Sequence, residues 1–426
     1  MKPATHKMLA MKAAITQGLL NEENPLLVLV HQQGIFDTVN DLHSAFPAHF
    51  THCFAVKANP YLNILKILEK AGMGAEVASA PELELSLKAG FKTDNMVFDA
   101  PVKTPQEIDR ALNLGIAFNI DNFQELDRLI DWFKSNKSNA NIGFRINPQI
   151  GAGSVARTST ATLTSKFGIG LKDAGNQNKI IQACKDHTWI NSLHVHVGSI
   201  GCPLELMCDG VKAIVELAQN INQTIGAKQI KMLDIGGGLP VDFTQDANNP
   251  TFSEYAMALS NAVPEVINGD FKITTEYGRA IVAKNAITIG RIEYTKKMGD
   301  SQIALGHIGV QTLMRTVFEP EDCERRISAF DTKGNLKTGN EIEQDIAGPA
   351  CFSGDLIAQK RLMPLLQQGD FIMVHDTGAY HFSNHYQYNA LPQLPVYAYT
   401  IDEQNRVSFE CLSAGQSVND VIDGYS

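Results

Sequence analysis

A lysine, Lys57, follows an apolar run in the segment Phe54-Ala55-Val56-Lys57-Ala58-Asn59-Pro60. The apolar half predicts a short buried strand, and Asn59-Pro60 ends it. A helical pattern begins directly afterwards, so Lys57 is predicted at the carboxyl end of a strand that opens a βα unit. A lysine removed from water loses its proton more readily, and its amine can then form a Schiff base with a carbonyl. The alternative is a lysine that extends to solvent from the end of a core strand.

Polar side chains end most of the other predicted strands as well. In chain order, the strand ends are Lys57, Glu76, Asp99, Asn119, Arg145, His196, Gly236 and Glu276. Seven of these eight are polar, which packing alone does not explain. In a barrel of parallel strands the carboxyl ends meet at one face, where the active site lies. We therefore expect the chemistry at this face.

The strand end that lacks a polar side chain opens a glycine triplet, Gly236, Gly237 and Gly238. It follows Leu233-Asp234-Ile235, so the backbone N–H groups of a strand-to-loop turn could reach an anion there. Glycine runs more often only make turns. The run that begins at His196 ends at Ser199, whose hydroxyl could help to close a phosphate site if it lies beside the glycines.

Three further motifs carry charged or reactive groups. Glu276-Tyr277-Gly278-Arg279 ends the last predicted strand with an acid and a base, which alone would suggest a surface salt bridge. The turn GPACFSGD at residues 348–355 contains Cys351, although cysteine is most often a small buried apolar residue. Tyr380 and Tyr388 follow a strand-like run near residue 374.

The elements that must position these residues alternate strictly. Eight strand-like runs lie near residues 53–57, 73–78, 96–99, 116–120, 141–146, 191–197, 230–235 and 271–276, with helical patterns between them. This alternation predicts an α/β fold with a closed (β/α)8 barrel, and a doubly wound open sheet is the alternative.

Short strand-like runs replace this pattern after residue 285 and predict a mainly β C-terminal domain. We expect residues 1–35 to form a lead and a strand that joins the β domain. The barrel then spans residues 36–285, and the β domain spans 286–426.

The composition limits the classes of function that the chain could have. The chain has 426 residues, 44% of them hydrophobic and 19% charged, which is typical of a globular protein. A net charge of −10 argues against nucleic acid or an anionic membrane as partner. No apolar run is long enough to span a bilayer, and the N-terminus lacks the apolar core of a secretory signal. The seven cysteines form no CxxC pair, so we expect neither a disulfide framework nor a metal site, and a reducing cytoplasm is the simplest location.

The motifs FAVKAN, HVHVGS, DIGGG, EYGR, GPACFSGD and DTGAY…YN occur in this order. Together they resemble the group of pyridoxal-phosphate decarboxylases, of the alanine-racemase-like fold type III, that includes diaminopimelate and ornithine decarboxylases. The resemblance covers roughly residues 25–400. It implies a (β/α)8 barrel with a β domain, pyridoxal 5'-phosphate as cofactor, an amino-acid substrate and active sites shared across a homodimer.

The resemblance also implies roles for individual residues. Lys57 would bind the cofactor covalently, His196 would stack on its ring, and Glu276 would keep the ring nitrogen protonated. Cys351 of the partner subunit would deliver the proton that replaces CO2. The phosphate would be held by Ser199, Gly236, Gly237, Gly238, Gly278, Arg279 and Tyr388. Substrate contacts would come from Arg279, Arg315, Phe352, Asp355 and Tyr388, and Glu76 would be a supporting group.

Two departures from the family pattern concern the substrate. Diaminopimelate decarboxylases usually have a glutamate for the distal amine of the substrate where this chain has Phe352, and ornithine decarboxylases similarly have an aspartate. The family's arginine for a distal carboxylate persists as Arg315 in Leu313-Met314-Arg315, but its tyrosine partner falls at Glu319. We therefore expect a substrate with a distal carboxylate, for example a siderophore-type conjugate.

Three alternatives stay open. The chain could be a diaminopimelate decarboxylase of lysine biosynthesis, a racemase, or a non-catalytic relative that regulates a partner. The similar racemases place an arginine against the ring nitrogen, so Glu276 favours decarboxylation. The sequence identifies neither the exact substrate nor any assembly beyond a dimer.

Overall fold

A computed structural model describes residues 3–426 and divides them into two compact units. The barrel unit consists of Phe36–Val241 and Asn249–Ile281. The β unit consists of the described residues up to Ile35 together with Asp242–Asn248 and Val282–Ser426. The boundary thus lies at Val282, four residues before the expected one, and the short segment Asp242–Asn248 belongs to the β unit.

Both units contain strands. In chain order these are β1 (Leu26–His31), β2 (Phe50–Ala55), β3 (Gly74–Val77), β4 (Met96–Phe98), β5 (Ala117–Ile120), β6 (Ile142–Asn147), β7 (Ile169–Gly170), β8 (Ile190–His194), β9 (Met232–Asp234), β10 (Lys272–Tyr277), β11 (Ala286–Met298), β12 (Ser301–Gly306), β13 (Ile327–Phe330), β14 (Glu341–Ala347), β15 (Leu356–Pro364), β16 (Phe371–Val374), β17 (Val396–Ile401) and β18 (Val407–Ser413).

The helices alternate with strands in the barrel unit and are fewer in the β unit. They are α1 (Thr5–Thr16), α2 (Gln32–Ala45), α3 (Leu62–Lys70), α4 (Ala80–Ala89), α5 (Pro105–Asn113), α6 (Phe123–Phe133), α7 (Asn176–Asp186), α8 (Leu204–Ile225), α9 (Phe252–Ala262), α10 (Pro264–Ile267), α11 (Arg279–Val282), α12 (Val310–Phe318), α13 (Pro320–Cys323) and α14 (Val418–Asp423). Single 3-10 turns occur at Val56–Ala58, Thr93–Asn95, Ala156–Thr158, Ala283–Asn285 and Phe382–Asn384.

The barrel is closed. Its parallel strands pair in the order β5-β4-β3-β2-β10-β9-β8-β6, and β6 pairs in turn with β5. The short strand β7, which the sequence did not predict, lies beside β6. Each of the eight predicted strand-like runs overlaps a barrel strand, so the (β/α)8 prediction is confirmed and the open sheet is excluded.

The burial of the barrel strands explains why they appear in the sequence as continuous apolar runs. Strands of a parallel barrel are covered on both faces, so alternation with polar residues is lost. Phe54, Phe98, Phe118 and Phe144 are fully buried on four different strands. Helices begin at side-chain caps such as Thr104, whose hydroxyl accepts the N–H of Glu107 while the Glu107 carboxylate accepts the N–H of Thr104.

The β unit is built around one mixed sheet of nine strands. Its main path runs β15-β14-β12-β11-β1-β17-β18, and β16 joins β11 to β13. Strand β1 lies inside this sheet, antiparallel to β11 and parallel to β17. Helix α1 contributes Ala10, Met11 and Ala14 to the core on one side of the sheet. The mainly β character predicted for this part of the chain is confirmed.

Two global properties concern the whole described chain. Among residues 3–426, none of the helices combines the length and apolar character that crossing a membrane requires. The seven cysteines all lie in this range, and none of them forms a disulfide.

A buried cluster of five charges connects separate segments of the β unit. The Asp376 carboxylate, 1% exposed, receives Lys7 Nζ at 3.4 Å, Lys284 Nζ at 3.2 Å and Arg326 Nη2 at 3.1 Å. Asp246 receives Lys7 and Arg326, each at 2.7 Å. Burial opposes ionisation of Asp246, but the hydrogen bonds from Arg326 and Lys7 hold its pKa well below its usual value. The segment Asp242–Asn248 is thus bound to the β unit by ion pairs.

We predict that Asp376→Asn strongly destabilises the β unit. Asp376 has a backbone φ of 60°, which asparagine tolerates, so the substitution removes the charge without adding backbone strain. Removing one member of a buried ion-pair network costs about 3–5 kcal/mol. The free energy of unfolding in urea measures this effect. The control is Glu84→Gln, which breaks an exposed pair with Arg110 and should cost less than about 1 kcal/mol. Equal stabilities of the two variants would contradict the prediction.

Candidate active site

Lys57 lies in the 3-10 turn Val56–Ala58, two residues beyond the end of β2. Its Nζ donates a hydrogen bond of 2.6 Å to Oε2 of Glu76, which is fully buried in β3. Burial raises the pKa of Glu76 to about 8, although the charge of Lys57 opposes this shift. The Lys57 side chain itself is 43% exposed. Lys57 therefore lies at the carboxyl end of the barrel with a partly exposed side chain, while its amine binds a fully buried carboxylate.

Glu276 lies in β10, with its carboxylate inside the barrel. Its Oε2 lies 3.4 Å from Nε2 of His194, and its carboxylate also forms a side-chain hydrogen bond with the neighbouring Asp234. Burial raises the pKa of Glu276, but His194 outweighs burial and holds this pKa well below its usual value. Glu276 is therefore a buried, ionised acceptor.

Asp234, the last residue of β9, behaves in the opposite way. Its Oδ1 accepts the backbone N–H of Gly236 at 3.0 Å. Burial and the negative charge of Glu276 raise the pKa of Asp234 well above its usual value. Of these two neighbouring carboxyl groups, Glu276 is thus ionised and Asp234 keeps a proton.

The glycine turn after β9 is shaped by its neighbours. Gly236 and Gly238 have φ of 65° and 93°, in the left-handed region that glycine adopts without strain. A Cβ on Gly237 would clash with the carbonyl oxygen of Glu276, and one on Gly238 with that of Gly198. The turn is therefore restricted to glycine, and its backbone lies close to β10 and to the end of β8.

His196, Ser199 and Arg279 surround this turn. Gly237 donates its N–H to Nδ1 of His196 at 3.2 Å. Burial, with the charges of Arg145 and Lys57, lowers the pKa of His196 to about 3, so its ring is neutral. Nε of Arg279 donates to Oγ of Ser199 at 3.4 Å. The N–H groups of Gly236 and Gly237 are bound to Asp234 and His196. The barrel unit thus brings together a neutral imidazole, a hydroxyl, a guanidinium and the N–H of Gly238, which together suit a phosphate.

The other predicted site residues lie in the β unit. Cys351 is exposed, and its N–H donates to Oδ1 of Asn389 at 2.6 Å. The Tyr388 hydroxyl donates to the Cys351 carbonyl at 3.4 Å. Asp355 is buried and accepts the N–H groups of Val310 at 2.6 Å and Ala350 at 2.8 Å. These bonds hold the turn that carries Cys351, and since Asp355 exposes no carboxylate within this unit, its contact with substrate stays a prediction.

Phe352 belongs to an aromatic cluster formed by Phe318, Phe352, Tyr386 and Tyr388. The ring of Phe352 stacks on that of Phe318, with centroids 6.0 Å apart and planes at 14°. It meets Tyr388 edge to face at 5.2 Å. Tyr386 completes the cluster, stacking on Tyr388 and meeting Phe318 edge to face. Phe318 remains 54% exposed, so the cluster reaches the surface of the unit.

Arg315 and Glu319 lie on or next to α12. The Arg315 guanidinium lies over the ring of Tyr380, 5.0 Å from its centroid. Glu319 follows the last residue of α12, and its Oε2 lies 3.9 Å from Sγ of Cys323.

Four residues beside Glu276 received no role from the sequence: Asp99, Arg145, His194 and Asp234. Asp99 and Arg145 were recognised only as polar strand ends. The motif HVHVGS contains two histidines, and only His196 was given a role. Side chains two positions apart along extended backbone share a face, so His194 could have been placed toward the barrel interior as well.

The comparisons with known proteins agree with this geometry. The family profile of the pyridoxal-binding domain of pyridoxal-dependent decarboxylases matches residues 33–283. The diaminopimelate decarboxylase of Helicobacter pylori is 31% identical over 347 residues, 80% of this chain and 82% of that protein. The diaminopimelate decarboxylase of Escherichia coli K12 is 30% identical over 361 residues, again 80% and 82%.

Solved structures show the same fold. The crystal structure of H. pylori diaminopimelate decarboxylase complexed with L-lysine has a TM-score of 0.83 at 26% identity, over 96% of this chain and 99% of that one. The lysine/ornithine decarboxylase of Vibrio vulnificus complexed with putrescine has a TM-score of 0.77 at 21% identity, over 93% and 99%, and shows the fold alone.

The chain belongs to the pyridoxal-dependent decarboxylases. It is a carboxy-lyase that acts on an amino acid, and its cofactor is pyridoxal 5'-phosphate. The resemblance inferred from the six motifs is therefore confirmed.

The residues of the barrel unit fit this cofactor. Lys57 offers an amine for its aldehyde, Glu276 offers a buried ionised carboxylate for its ring nitrogen, and Gly238, Ser199 and Arg279 offer donors for its phosphate. When bound, pyridoxal phosphate supplies an electron-withdrawing ring that accepts the electron pair released as CO2 leaves. Glu276 would hold the ring nitrogen in its protonated form, and neutral His196 would lie against the ring.

We predict that Glu276→Gln sharply lowers the decarboxylation rate while the cofactor stays bound. Glutamine is similar in size but carries no charge, so it stabilises a protonated ring nitrogen poorly, whereas Lys57 and the phosphate contacts are unchanged. Loss of one preorganised electrostatic contact of this kind costs roughly 10²–10³ in kcat. Turnover of the cofactor-loaded variant, with cofactor content read from its absorbance, provides the measurement. A wild-type rate would show that Glu276 does not serve the ring.

Proposed function

We propose that this decarboxylase acts on an amino acid or amino-acid conjugate whose distal end carries a carboxylate and no free ammonium. The observation that supports this is Phe352, located in an aromatic cluster, at the position where similar enzymes have an acid for the distal amine.

The geometry of Phe352 disfavours an ammonium. One face of its ring stacks on Phe318, and Tyr388 meets it at 67°, so its surroundings are aromatic. An ammonium placed there would lose water without gaining a carboxylate partner. Stranding one charge of a buried pair costs about 3–5 kcal/mol, a loss of roughly a hundred- to a few thousand-fold in affinity.

Arg315 supports a distal carboxylate. The guanidinium of Arg315 contacts Tyr380 through its flat face, so this contact does not use the N–H donors in its plane. Those donors can bind both oxygens of a carboxylate. Glu319 is the group that could still accept an ammonium, and its carboxylate lies beside Cys323. Amino acids acylated at the distal amine by a polycarboxylate, such as citryl conjugates of siderophore-type pathways, have the required chemistry.

Diaminopimelate decarboxylase is the second candidate function, favoured by the curated relatives at about 30% identity. It differs from the first candidate in one testable respect. Diaminopimelate and its product lysine both present a free distal ammonium, whereas an acylated substrate does not.

We predict that kcat/KM is higher for acylated or carboxylate-tailed amino acids than for diaminopimelate, lysine or ornithine by about a hundredfold or more. Phe352→Glu should reduce this difference in kcat/KM, because the new carboxylate attracts an ammonium and repels a carboxylate. Phe352→Gln is the matched control, because it removes the same aromatic contact and introduces no charge. Efficient turnover of free diaminopimelate by the unaltered enzyme would instead identify a lysine-pathway decarboxylase.

We further propose that the active enzyme is a homodimer with shared sites. Lys57 lies in the barrel unit and Cys351 in the β unit, and the resemblance assigns the proton-delivering Cys351 to the partner subunit. Since Cys351 is exposed on the surface of its own unit, its thiol is available to another chain.

We predict that mixing inactive Lys57→Ala and Cys351→Ala subunits restores part of the activity. One of the two sites in each mixed dimer would combine an intact Lys57 with an intact Cys351, so up to half of the sites in that dimer would work. Cys411→Ala, at another exposed cysteine of the β unit, is the control and should be active alone. Absence of rescue after demonstrated subunit exchange would exclude shared sites.

A further inference from the structure

His194 is a fully buried polar group of the barrel unit. The residue is 0% exposed at the carboxyl end of β8. Its Nδ1 lies 3.5 Å from Oδ1 of Asp99, and its Nε2 lies 3.4 Å from Oε2 of Glu276. Each ring nitrogen thus has a buried carboxylate oxygen at ion-pair distance, without the geometry of a hydrogen bond.

This arrangement suits the charged imidazolium better than the neutral imidazole. A neutral imidazole has one N–H, so one of its nitrogens would hold a lone pair beside a carboxylate oxygen. Turning the ring over still leaves one N–H for two carboxylates. An imidazolium has N–H groups on both nitrogens and can serve both acids.

We propose that His194 is a positioning residue that is held as an imidazolium between Asp99 and Glu276 and keeps Glu276 ionised toward the cofactor's ring nitrogen. This inference rests on the proposed role of Glu276. It assigns a function to a side chain that would not itself touch the cofactor.

The surrounding charges agree with this state. Arg145, on β6, donates to Asp99 Oδ2, so charges alternate along Arg145, Asp99, His194 and Glu276. Other titratable groups that act on these four residues are Asp234, Glu76, Lys57, His196, Asp121 and Cys53. The raised pKa of Asp234 leaves Glu276 as the ionised member of that pair.

A metal ion is the competing explanation for such a group of ligands. The nearest ligand atoms of Asp99, His194 and Glu276 all lie within 4.8 Å of one another. However, Arg145 already binds Asp99, and its guanidinium, stacked on Phe167 at 4.3 Å, would repel a divalent cation there. The imidazolium supplies positive charge without this conflict.

Loss of the imidazolium has a specific consequence. Without it, the buried carboxyl group of Glu276 would take up a proton more readily, because burial alone raises its pKa. A protonated Glu276 stabilises a protonated ring nitrogen poorly. The amine of Lys57 and the donors around the glycine turn do not depend on His194, so only the contribution from the ring nitrogen would be lost.

The first test observes His194 directly. Solid-state 15N NMR of histidine-labelled holoenzyme, with His194→Gln to assign the signal, reports whether each ring nitrogen carries a proton. We expect two protonated nitrogens at neutral pH. One unprotonated nitrogen, or a stoichiometric metal that is lost in His194→Gln, would overturn the proposal.

The second test measures how much the contact with the ring nitrogen contributes to cofactor affinity. The Kd of pyridoxal phosphate is compared with that of its 1-deaza analogue, in which CH replaces the ring nitrogen. The preference for pyridoxal phosphate should fall by about tenfold or more in His194→Gln and in Glu276→Gln, the factor typical of one charge-assisted hydrogen bond. The control is His52→Gln, at another buried barrel histidine, whose pKa burial lowers to about 3 and whose Nδ1 contacts Thr275 at 2.8 Å. It should keep the wild-type preference even if it loses stability.

The outcomes of this test distinguish the proposed role of His194 from the proposed role of Glu276. A wild-type preference in His194→Gln alongside a reduced one in Glu276→Gln would overturn the inference and leave the role of Glu276 in place. A wild-type preference in both variants would overturn the role of Glu276, and the inference with it.

Discussion

The structure depends on burying several carboxyl groups at the carboxyl end of one barrel. Burying an ionised carboxylate is costly unless an opposite charge or a hydrogen bond accompanies it. Each acid here has a different compensation: Glu76 has Lys57 and a raised pKa, Asp99 has Arg145, and Asp234 has a raised pKa that keeps its proton. Glu276 differs because His194 holds its pKa well below the usual value in spite of burial. The arrangement of neighbours, more than the residue type, selects which carboxylate can serve the cofactor.

The glycine turn connects this electrostatic arrangement to the backbone. Gly237 lies against the carbonyl of Glu276, and its N–H binds His196. A side chain at this position would displace either β10 or the turn. The phosphate donors and the ring-nitrogen acceptor are therefore placed relative to each other by backbone contacts, which are stiffer than contacts between long side chains. Such a site can be ready for its cofactor before the cofactor binds.

Much of the fold and part of the site follow from the sequence. Continuous apolar runs bounded by Gly, Pro and Asn located all eight barrel strands, and chemically distinctive residues such as Lys57 and the glycine triplet located the carboxyl face. Which buried side chains contact one another was not predictable from the sequence. The two carboxylates near His194 are distant from it in sequence, and the exposure of the Lys57 side chain depends on a 3-10 turn that extends it beyond β2. The membership of Asp242–Asn248 in the β unit depends on ion pairs with Lys7 and Arg326, far away in the chain. Local periodicity carries no information on such contacts.

The position of β1 has a consequence for biosynthesis. This strand is made early by the ribosome, yet its two neighbours in the sheet, β11 and β17, are made only after the entire barrel. Until then β1 has no partner and exposes an apolar edge, Leu27, Val28, Leu29 and Val30, that would favour association with other chains. The barrel consists mainly of local βα units and can form during this interval, whereas the sheet must wait for its last strands. The nascent chain thus has to keep β1 soluble while the barrel is being made, a situation in which chaperones are most useful.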